Sequence, residues 1–257
     1  MGRIQLIDAS SRRAGGNDDA PQLRLGLLKG FELYCGDDLV GLPLSAQRLI
    51  AFLALRDRSL LRFHVATMLW PDSTEERSVS NLRTALWRIR YEGCPVVQAT
   101  ASHLRLAPAV SVDYRHVAVR ARHLLDPSNE CDVDDLDESW FVEDLLPDWY
   151  DDWVVIERER FRQLRLYALE SAAERLVAAG RHGQAIQAAL MAVCDEPLRE
   201  SAQRALVRAH LACGNQGEAI LQYRRYREAL FEELKVAPSP LFERLMVGIW
   251  EPGPADR

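Results

Sequence analysis

The sequence predicts a mainly α-helical protein of two modules, a small N-terminal α+β domain followed by an all-α domain built from helical repeats. Three observations support this prediction. The first hundred residues mix short apolar runs with helical patterns, the second half repeats itself with a period of 34 residues, and the charged residues are divided unequally between the two halves.

The composition excludes several classes of protein. Of the 257 residues 48% are hydrophobic, which is enough to form real cores. The five cysteines stand singly, without the spacing of zinc ligands, so we predict buried, reduced thiols and no metal site. No run of roughly 18 apolar residues exists to cross a bilayer, and the polar residues 1–22 predict a disordered tail instead of a signal peptide.

The charges are distributed asymmetrically along the chain. Residues 1–125 contain 17 Lys and Arg against 12 Asp and Glu, whereas the remainder contains 15 against 26. The net charge of −6 therefore conceals a basic half and a strongly acidic half. Such an asymmetry points to one half meeting a polyanion, provided that a motif supports it.

The N-terminal module begins with three predicted strands, at 23–28, 31–35 and 39–42. Two amphipathic helices follow. The first starts after Ser45 and ends near Asp57, and the second covers 62–69. Pro71 ends the second helix, because proline has no amide hydrogen and its ring clashes with the preceding turn.

The third predicted helix carries the most informative pattern. Ser73 and Glu76 fit a capping box, in which a hydroxyl and a carboxylate satisfy two free amides at a helix start. One face of the helix is apolar and should face a core: Val79, Leu82, Ala85, Leu86 and Ile89. The opposite face and its flanks are basic and polar, with one tryptophan: Arg77, Ser80, Asn81, Arg83, Thr84, Trp87, Arg88 and Tyr91.

Two interpretations fit this outer face. An arginine-rich helix face is commonly just solvated, although a solvated face seldom exposes a tryptophan such as Trp87, unless its ring lies against its own domain. Alternatively, arginine, hydroxyl and amide groups read base edges or hold phosphates, and an α-helix fits the major groove of B-DNA.

A tight hairpin follows the third helix. Its predicted strands are 96–100 and 103–106, joined at Ala101-Ser102. Three strands, three helices and a hairpin, in that order, are typical of a winged helix-turn-helix, in which the hairpin is the wing. The order of elements therefore favours DNA binding over a merely solvated helix face.

Residues 126–152 contain twelve acidic residues and no lysine or arginine, interspersed with aromatic residues that include Trp140, Phe141, Trp149 and Tyr150. Such a run can serve as an activation surface. It can equally be a crossing segment whose aromatic rings pack between two domains while its carboxylates face water. The sequence leaves both possibilities open.

The chain from Glu157 onward is predicted to be helical, at 157–179, 182–194, 199–213, 216–234 and 239–250. Five residues recur at the same spacing one period later: Ala178, Gly180, Gly183, Ala185 and Ile186 return as Ala212, Gly214, Gly217, Ala219 and Ile220. The period is that of tetratricopeptide (TPR) repeats, in which a helix pair needs a stacked neighbour to cover its apolar face. Such stacks usually bind other proteins.

These motifs resemble the SARP regulators, the antibiotic regulatory proteins of actinobacteria. Ser45-Ala46-Gln47-Arg48, Leu69-Trp70-Pro71 and residues 81–90 are similar to their OmpR-type DNA-binding domain. Four further motifs resemble the bacterial transcriptional activation domain that accompanies it, at 148–153, 157–160, 196–200 and 222–226. The resemblance extends from about Leu23 to Trp250.

The resemblance implies an OmpR-like winged helix-turn-helix domain at 23–113 and a TPR-like bacterial transcriptional activation domain at 114–257. It implies a cytoplasmic, nucleoid-associated activator of a biosynthetic gene cluster for an antibiotic or other secondary metabolite. Members of the family bind direct repeats in double-stranded promoter DNA, often as homodimers, and recruit RNA polymerase holoenzyme.

We expect the third helix to enter the major groove with five side chains at or near the bases: Arg77, Ser80, Thr84, Trp87 and Arg88. Phosphate contacts are expected mainly from Gln47, Arg48, Asn81, Arg83 and Arg90. His103 and Arg105 are expected to act from the wing.

Two other classes of function remain possible. An interaction adaptor would use the helical repeats while the winged helix docks protein, and it would show no salt-sensitive affinity for DNA. An enzyme would need a catalytic motif, but the sequence has no phosphate loop, no G-x-S-x-G, no H-E-x-x-H and no clustered Cys or His. We therefore expect no enzymatic activity and no cofactor.

Overall fold

A computed structural model describes residues 22–90, 95–126 and 143–249. In these residues the N-terminal elements are β1 (Leu23–Gly26), β2 (Glu32–Cys35), β3 (Asp38–Leu39), α1 (Leu44–Ala54), β4 (Leu60–Leu61), α2 (Arg62–Leu69), α3 (Glu75–Arg88), β5 (Val97–Ala99), β6 (His103–Leu106), β7 (Val110–Val112) and α4 (Asp113–Leu125). The later elements are α5 (Asp152–Ala178), α6 (His182–Asp195), α7 (Glu200–Ala212), α8 (Gln216–Leu234) and α9 (Pro240–Met246). The predicted two-part, mainly helical fold is confirmed.

Two small sheets frame the N-terminal module. The first has the order β3-β2-β1-β7, in which Leu25 of β1 lies opposite Leu33 of antiparallel β2 and opposite Val112 of parallel β7. In the second, β6 lies between β4 and β5, and β5 with β6 forms the predicted wing. The sequence pattern did not predict β4 and β7, which have two and three residues and lie directly before a helix without a hairpin turn to mark them.

Helices α1, α2 and α3 pack on one core. The predicted apolar stripe of α3 is confirmed, since Leu82, Ala85 and Ile89 are buried and Val79 and Leu86 pack against the same core. Burial of this stripe stabilises the helix and fixes which face is left outside.

The start of α3 differs from the prediction. Its N-cap residue is Thr74, whose side chain makes no capping hydrogen bond, so the capping box of Ser73 and Glu76 is wrong. The Ser78 hydroxyl instead donates to the carbonyl oxygen of Glu75 at 2.8 Å. Both glutamates still favour a helix start here, because carboxylates are stabilised at the positive end of the helix dipole.

Helix α4 was not predicted, and its first residue ties it to the sheet. The Asp113 carboxylate accepts hydrogen bonds from the amides of Leu27 at 2.9 Å, Leu28 at 3.0 Å and Tyr114 at 2.6 Å. Burial raises the pKa of Asp113 above its ordinary value, and the three amide donors oppose that shift. The start of α4 is thereby fixed to the end of β1.

The second half is a stack of antiparallel helices in which α5 packs on α6 and α7, and α7 packs on α8. The 34-residue repeat is visible in the backbone. Gly180 and Gly214 both adopt the left-handed conformation, with φ of 74° and 80°. After the first of them, the Arg181 amide donates to the Leu176 carbonyl oxygen at 2.9 Å, and the equivalent bond occurs one repeat later. This is the Schellman ending of a helix, which glycine favours.

Side chains one period apart join the successive repeats. Arg162 of α5 forms an ion pair with Glu196, and Glu174 of α5 forms one with Arg208 of α7 at 2.9 Å. Each pair is separated by 34 residues in sequence. The interval that identifies the repeat thus also brings oppositely charged side chains together.

Residues 143–151, which we call the strap, cross between the two modules. The Leu146 amide donates to the Leu27 carbonyl oxygen at 2.9 Å, which adds the strap to the end of β1. From the other side, the Arg158 guanidinium of α5 donates to three of the strap's carbonyl oxygens. The strap is therefore hydrogen-bonded to both modules.

Aromatic rings pack beside the strap at the contact between the two modules, which we call the seam. Trp149 stacks on Phe31 with ring centroids 6.1 Å apart, and Trp153 lies edge-on to Phe52 at 5.2 Å. Most buried hydrophobic residues of the N-terminal module and of α5 to α7 belong to one continuous core, while those of α8 and α9 form a second cluster. In its described part the acidic segment thus crosses between the modules with Trp149 packed, but Tyr150 is 82% exposed and the Asp151 carboxylate is paired with Arg48. Residues 127–142, with Trp140 and Phe141, lie outside the described residues.

The prediction of buried, reduced thiols is right for two cysteines in that they are free, and wrong in that they are exposed. Cys194 and Cys213 are exposed free thiols, and Cys35 is disulfide-bonded. The described residues hold no group of three or more potential metal ligands. Among the helices described, none combines the length and the apolar character needed to cross a membrane.

Candidate nucleic-acid interface

The polar face of α3 points away from the protein. Six of its side chains are exposed and Asn81 is half-buried at its edge. The exposed residues are Arg77, Ser80, Arg83, Thr84, Trp87 and Arg88. Trp87 is 71% exposed, so its ring does not lie against its own domain. Tyr91 lies outside the described residues.

This face carries unneutralised positive charge. Arg77, Arg83, Arg88 and Arg90 are exposed, and with the residues described none of the four forms an ion pair. Four arginines without ion-pair partners outnumber the exposed carboxylates of Glu75 and Glu76 on this helix, and the resulting positive potential draws in a polyanion and is relieved when one binds. The Thr84 hydroxyl donates to the Ser80 carbonyl oxygen at 3.1 Å, which leaves the hydroxyl oxygen available as an acceptor.

The wing is a short hairpin with a closed turn. The His103 amide donates to the Thr100 hydroxyl at 3.0 Å, and the Ser102 hydroxyl lies 2.9 Å from Nδ1 of half-buried His103. Arg105 is exposed, and its Nε donates to Oε1 of Gln98 on the neighbouring strand at 2.7 Å. The turn and the cross-strand bond hold the wing in one shape beside α3.

A crevice of about 670 Å³ separates α3 from the wing. Among the described residues that line it, the floor is apolar, the rim is basic and none is acidic. The basic rim residues are Arg62, Arg83 and Arg90, with Trp87 beside them. Sequence reasoning missed Arg62, the first residue of α2, because its position depends on the hairpin. Its Nη1 donates to the carbonyl oxygen of Thr100, which is 38 residues away in the chain.

Two expected phosphate contacts have partners within the protein. The Gln47 amide donates to the Leu42 carbonyl oxygen at 2.7 Å. The Arg48 guanidinium forms an ion pair with Asp151, the N-cap residue of α5, and both side chains are about four-fifths buried. The structure thus places these two residues on α1, with Arg48 at the seam, and we leave both out of the proposed DNA surface.

The candidates on α3 form one surface with the crevice. Together they present guanidinium, hydroxyl and amide groups, whereas His103 of the wing lines a separate pocket with Arg58 and His64. Guanidinium groups can form paired hydrogen bonds with guanine or with phosphate, and hydroxyl and amide groups can bind either. The chemistry of this surface suits a polyanion that also offers base edges.

Comparisons with known proteins agree with this architecture. Residues 139–249 match the family model of the bacterial transcriptional activator domain. The chain is 24% identical over 249 residues to the regulatory protein AfsR of Streptomyces coelicolor, an alignment that covers 93% of this chain and 25% of AfsR. The chain therefore spans about a quarter of the length of that relative.

A solved structure has a similar fold. It is that of EmbR from Mycobacterium tuberculosis in complex with a low-affinity phosphopeptide, with a TM-score of 0.67 and 21% sequence identity. The similarity covers 89% of this chain and 65% of that one. At this level of identity the likeness supports the fold alone. It confirms the predicted fold class, and the domain match and the similarity to AfsR agree with the resemblance that the motifs carry.

Proposed function

We propose that this chain, a SARP-type transcriptional regulator in its fold and domain content, is a sequence-specific activator that binds double-stranded promoter DNA through α3. The observation that carries the proposal is the outer face of α3. It combines exposed arginines, hydroxyls and a tryptophan, while the opposite face of the same helix is buried.

The residues of this face divide into two roles. Arg77, Ser80, Thr84, Trp87 and Arg88 are exposed along the middle of the face and are assigned to base edges. Asn81, Arg83 and Arg90 lie on its flanks and are assigned to phosphates, and Arg105 and His103 act from the wing.

The helical stack supplies the protein contacts. We assign to it the recruitment of RNA polymerase holoenzyme, in line with the activator-domain match at residues 139–249. We further propose that the protein binds promoter direct repeats as a homodimer, in the cytoplasm and associated with the nucleoid. Its target would be a biosynthetic gene cluster for an antibiotic or another secondary metabolite.

The test measures DNA binding by the full chain. A footprint on the promoters nearest its own gene locates the operator, and titrations at 50 and 200 mM salt measure the electrostatic part of the affinity. Replacing Arg77, Thr84 and Arg88 together by alanine should abolish the footprint. A control variant that loses two exposed arginines of the helical stack, Arg225 and Arg244, should bind like the wild type.

Unchanged operator binding by the triple variant would refute the assignment of α3. Absence of any salt-dependent DNA affinity in the wild type would refute DNA binding itself. It would favour an interaction adaptor in which the helical repeats bind protein and the winged helix does not bind DNA.

A further inference from the structure

The crevice between α3 and the wing lies where the DNA backbone must pass, given the proposed function. A helix in the major groove and a wing that reaches the adjacent minor groove must straddle the sugar-phosphate strand that separates the two grooves. That strand can only pass between the two protein elements. In this protein the space between them is the crevice of about 670 Å³.

The lining of the crevice suits a phosphodiester strand. Arg62, Arg83 and Arg90 come from α2, from α3 and from just beyond the end of α3, and all three line the same space. Its floor includes Ile89 and Val96, both buried. Apolar walls with low polarisability strengthen the attraction between a guanidinium and a phosphate, because less water screens the pair.

Arg62 is held in place before any ligand binds. Its side chain donates to the Thr100 carbonyl oxygen at 3.1 Å, and its backbone amide donates to the Ser102 carbonyl oxygen at 2.8 Å. A side chain fixed in this way loses little conformational freedom when it contacts a phosphate. One Nη1 bond to a carbonyl also leaves most of its five N–H donors for a ligand.

We propose that the crevice seats the DNA strand between the major and minor grooves, and that Arg62 contacts one of its phosphates together with Arg83 and Arg90. Arg62 is thus a DNA-contacting residue outside both the recognition helix and the wing. It positions the protein on the duplex without reading sequence, because phosphates are the same at every base step.

The experiment combines a protein variant with a DNA variant. The full chain and Arg62→Gln are titrated with a fluorescein-labelled operator duplex at 50 and 200 mM salt. A phosphate contact contributes about 0.9 to the slope of log affinity against log salt, so its loss should reduce the ratio of the two affinities by about 3.5-fold. Arg225→Gln, which removes the same charge from the helical stack, is the control and should leave the ratio unchanged.

Single neutral methylphosphonate linkages, placed in turn along the duplex, then locate the contact. One position should weaken binding by the wild type more than it weakens binding by Arg62→Gln, in which Arg83 and Arg90 are the remaining partners of that phosphate. Arg62→Lys, which keeps the charge, should recover part of the salt dependence. Thermal melting of each variant establishes that it is folded. Arg90→Gln, which leaves the hydrogen bond between Arg62 and the Thr100 carbonyl oxygen intact, tests the crevice independently and should also reduce the salt dependence.

The outcomes separate this inference from the proposed function. If the wild type shows no DNA binding, the proposed function fails. If the wild type binds but Arg62→Gln keeps the same salt ratio and is weakened by every methylphosphonate as much as the wild type is, Arg62 only braces the wing and the inference is refuted. Arg62-dependent binding of inorganic pyrophosphate, without any effect of Arg62→Gln on DNA, would also overturn it, because the crevice would then serve a free phosphate compound.

Discussion

Replacing Glu157 by glutamine should weaken the seam between the two modules. Glu157 lies on α5 and its side chain is only 8% exposed. Its Oε1 accepts a hydrogen bond from Nη1 of Arg160 at 2.8 Å and forms an ion pair with Nη1 of Arg56 at the same distance. Arg56 follows α1 in the N-terminal module, and its guanidinium lies 5.1 Å from the centre of the Phe52 ring. The substitution would leave the positive charge of Arg56 largely out of water and without its partner.

The magnitude follows from the exposure of the partners. Breaking a fully buried ion pair costs about 3–5 kcal/mol, but the Arg160 side chain is 69% exposed and that of Arg56 is 23% exposed, so water takes up part of the loss. We therefore expect Glu157→Gln to lower the free energy of unfolding by about 2–3 kcal/mol. In a protein of this size that corresponds to a fall in Tm of about 5–10 °C.

Urea unfolding, followed by the fluorescence of the seam tryptophans and by far-UV circular dichroism, measures this loss. A double-mutant cycle with Arg56→Met should give a coupling energy of about 1 kcal/mol or more, because the second substitution removes the unpaired charge. Glu174→Gln is the control, since its pair with Arg208 is exposed on both sides and should contribute less than about 1 kcal/mol. Purely additive effects of the two seam substitutions, or a loss no larger than that of the control, would refute this view of the seam.

Three further predictions concern single residues. Trp87→Ala should leave Tm nearly unchanged, because the residue is 71% exposed. It should weaken operator binding roughly tenfold if the Trp87 ring lies at the bases. An affinity for operator DNA equal to that of the wild type would exclude Trp87 from the interface. Gly180→Ala should lower the free energy of unfolding by about 1–2 kcal/mol, because the φ of Gly180 is 74°. Gly183→Ala should be neutral or stabilising by up to about 1 kcal/mol, because the added Cβ meets open space within α6. Urea titrations in which Gly183→Ala is the less stable of the two variants would contradict both predictions. Burial lowers the pKa of His210 below 6.5, so the unfolded chain binds the proton more readily and stability should fall as the pH drops from 6.5 towards the lowered pKa. The Tm of His210→Gln should fall less over that pH interval. A pH profile of Tm identical to that of the wild type would exclude a contribution of His210 to acid destabilisation.

Local patterns predicted the elements that carry the proposed function. The apolar stripe of α3 and the hairpin strands repeat within a few residues, so their periodicity is legible in the sequence, and the exposure of Trp87 agrees with its place opposite the stripe. The recurrence of Gly180 as Gly214 similarly predicted two helix endings that share one backbone geometry. Each of these depends on residues that are close together in the chain or one repeat apart.

Features that depend on distant partners were not predictable in this way. Arg48 was expected to bind phosphate because it is a basic residue near the start of a helix, but its ion pair with Asp151 joins residues 103 apart in sequence. Arg62 was not expected at the interface, because only the fold places it beside the hairpin. Helix α4 was missed although its sequence is amphipathic, and it is fixed to β1 through Asp113, 86 residues from Leu27.

The structure shows where the basic and acidic residues of the two halves meet and where they do not. On the side that faces the helical domain, carboxylates of the acidic half neutralise basic residues of the N-terminal module in three ion pairs: Lys29 with Glu143, Arg48 with Asp151, and Arg56 with Glu157. On the side of α3, the arginines have no such partners among the described residues. The acidic half therefore neutralises positive charge on the side that faces the helical domain and leaves the arginines of the α3 face without carboxylate partners among the described residues. Because the two modules share a core, that face keeps a fixed orientation to the helical stack, and a duplex bound there would hold the activator domain at a defined position beside the promoter.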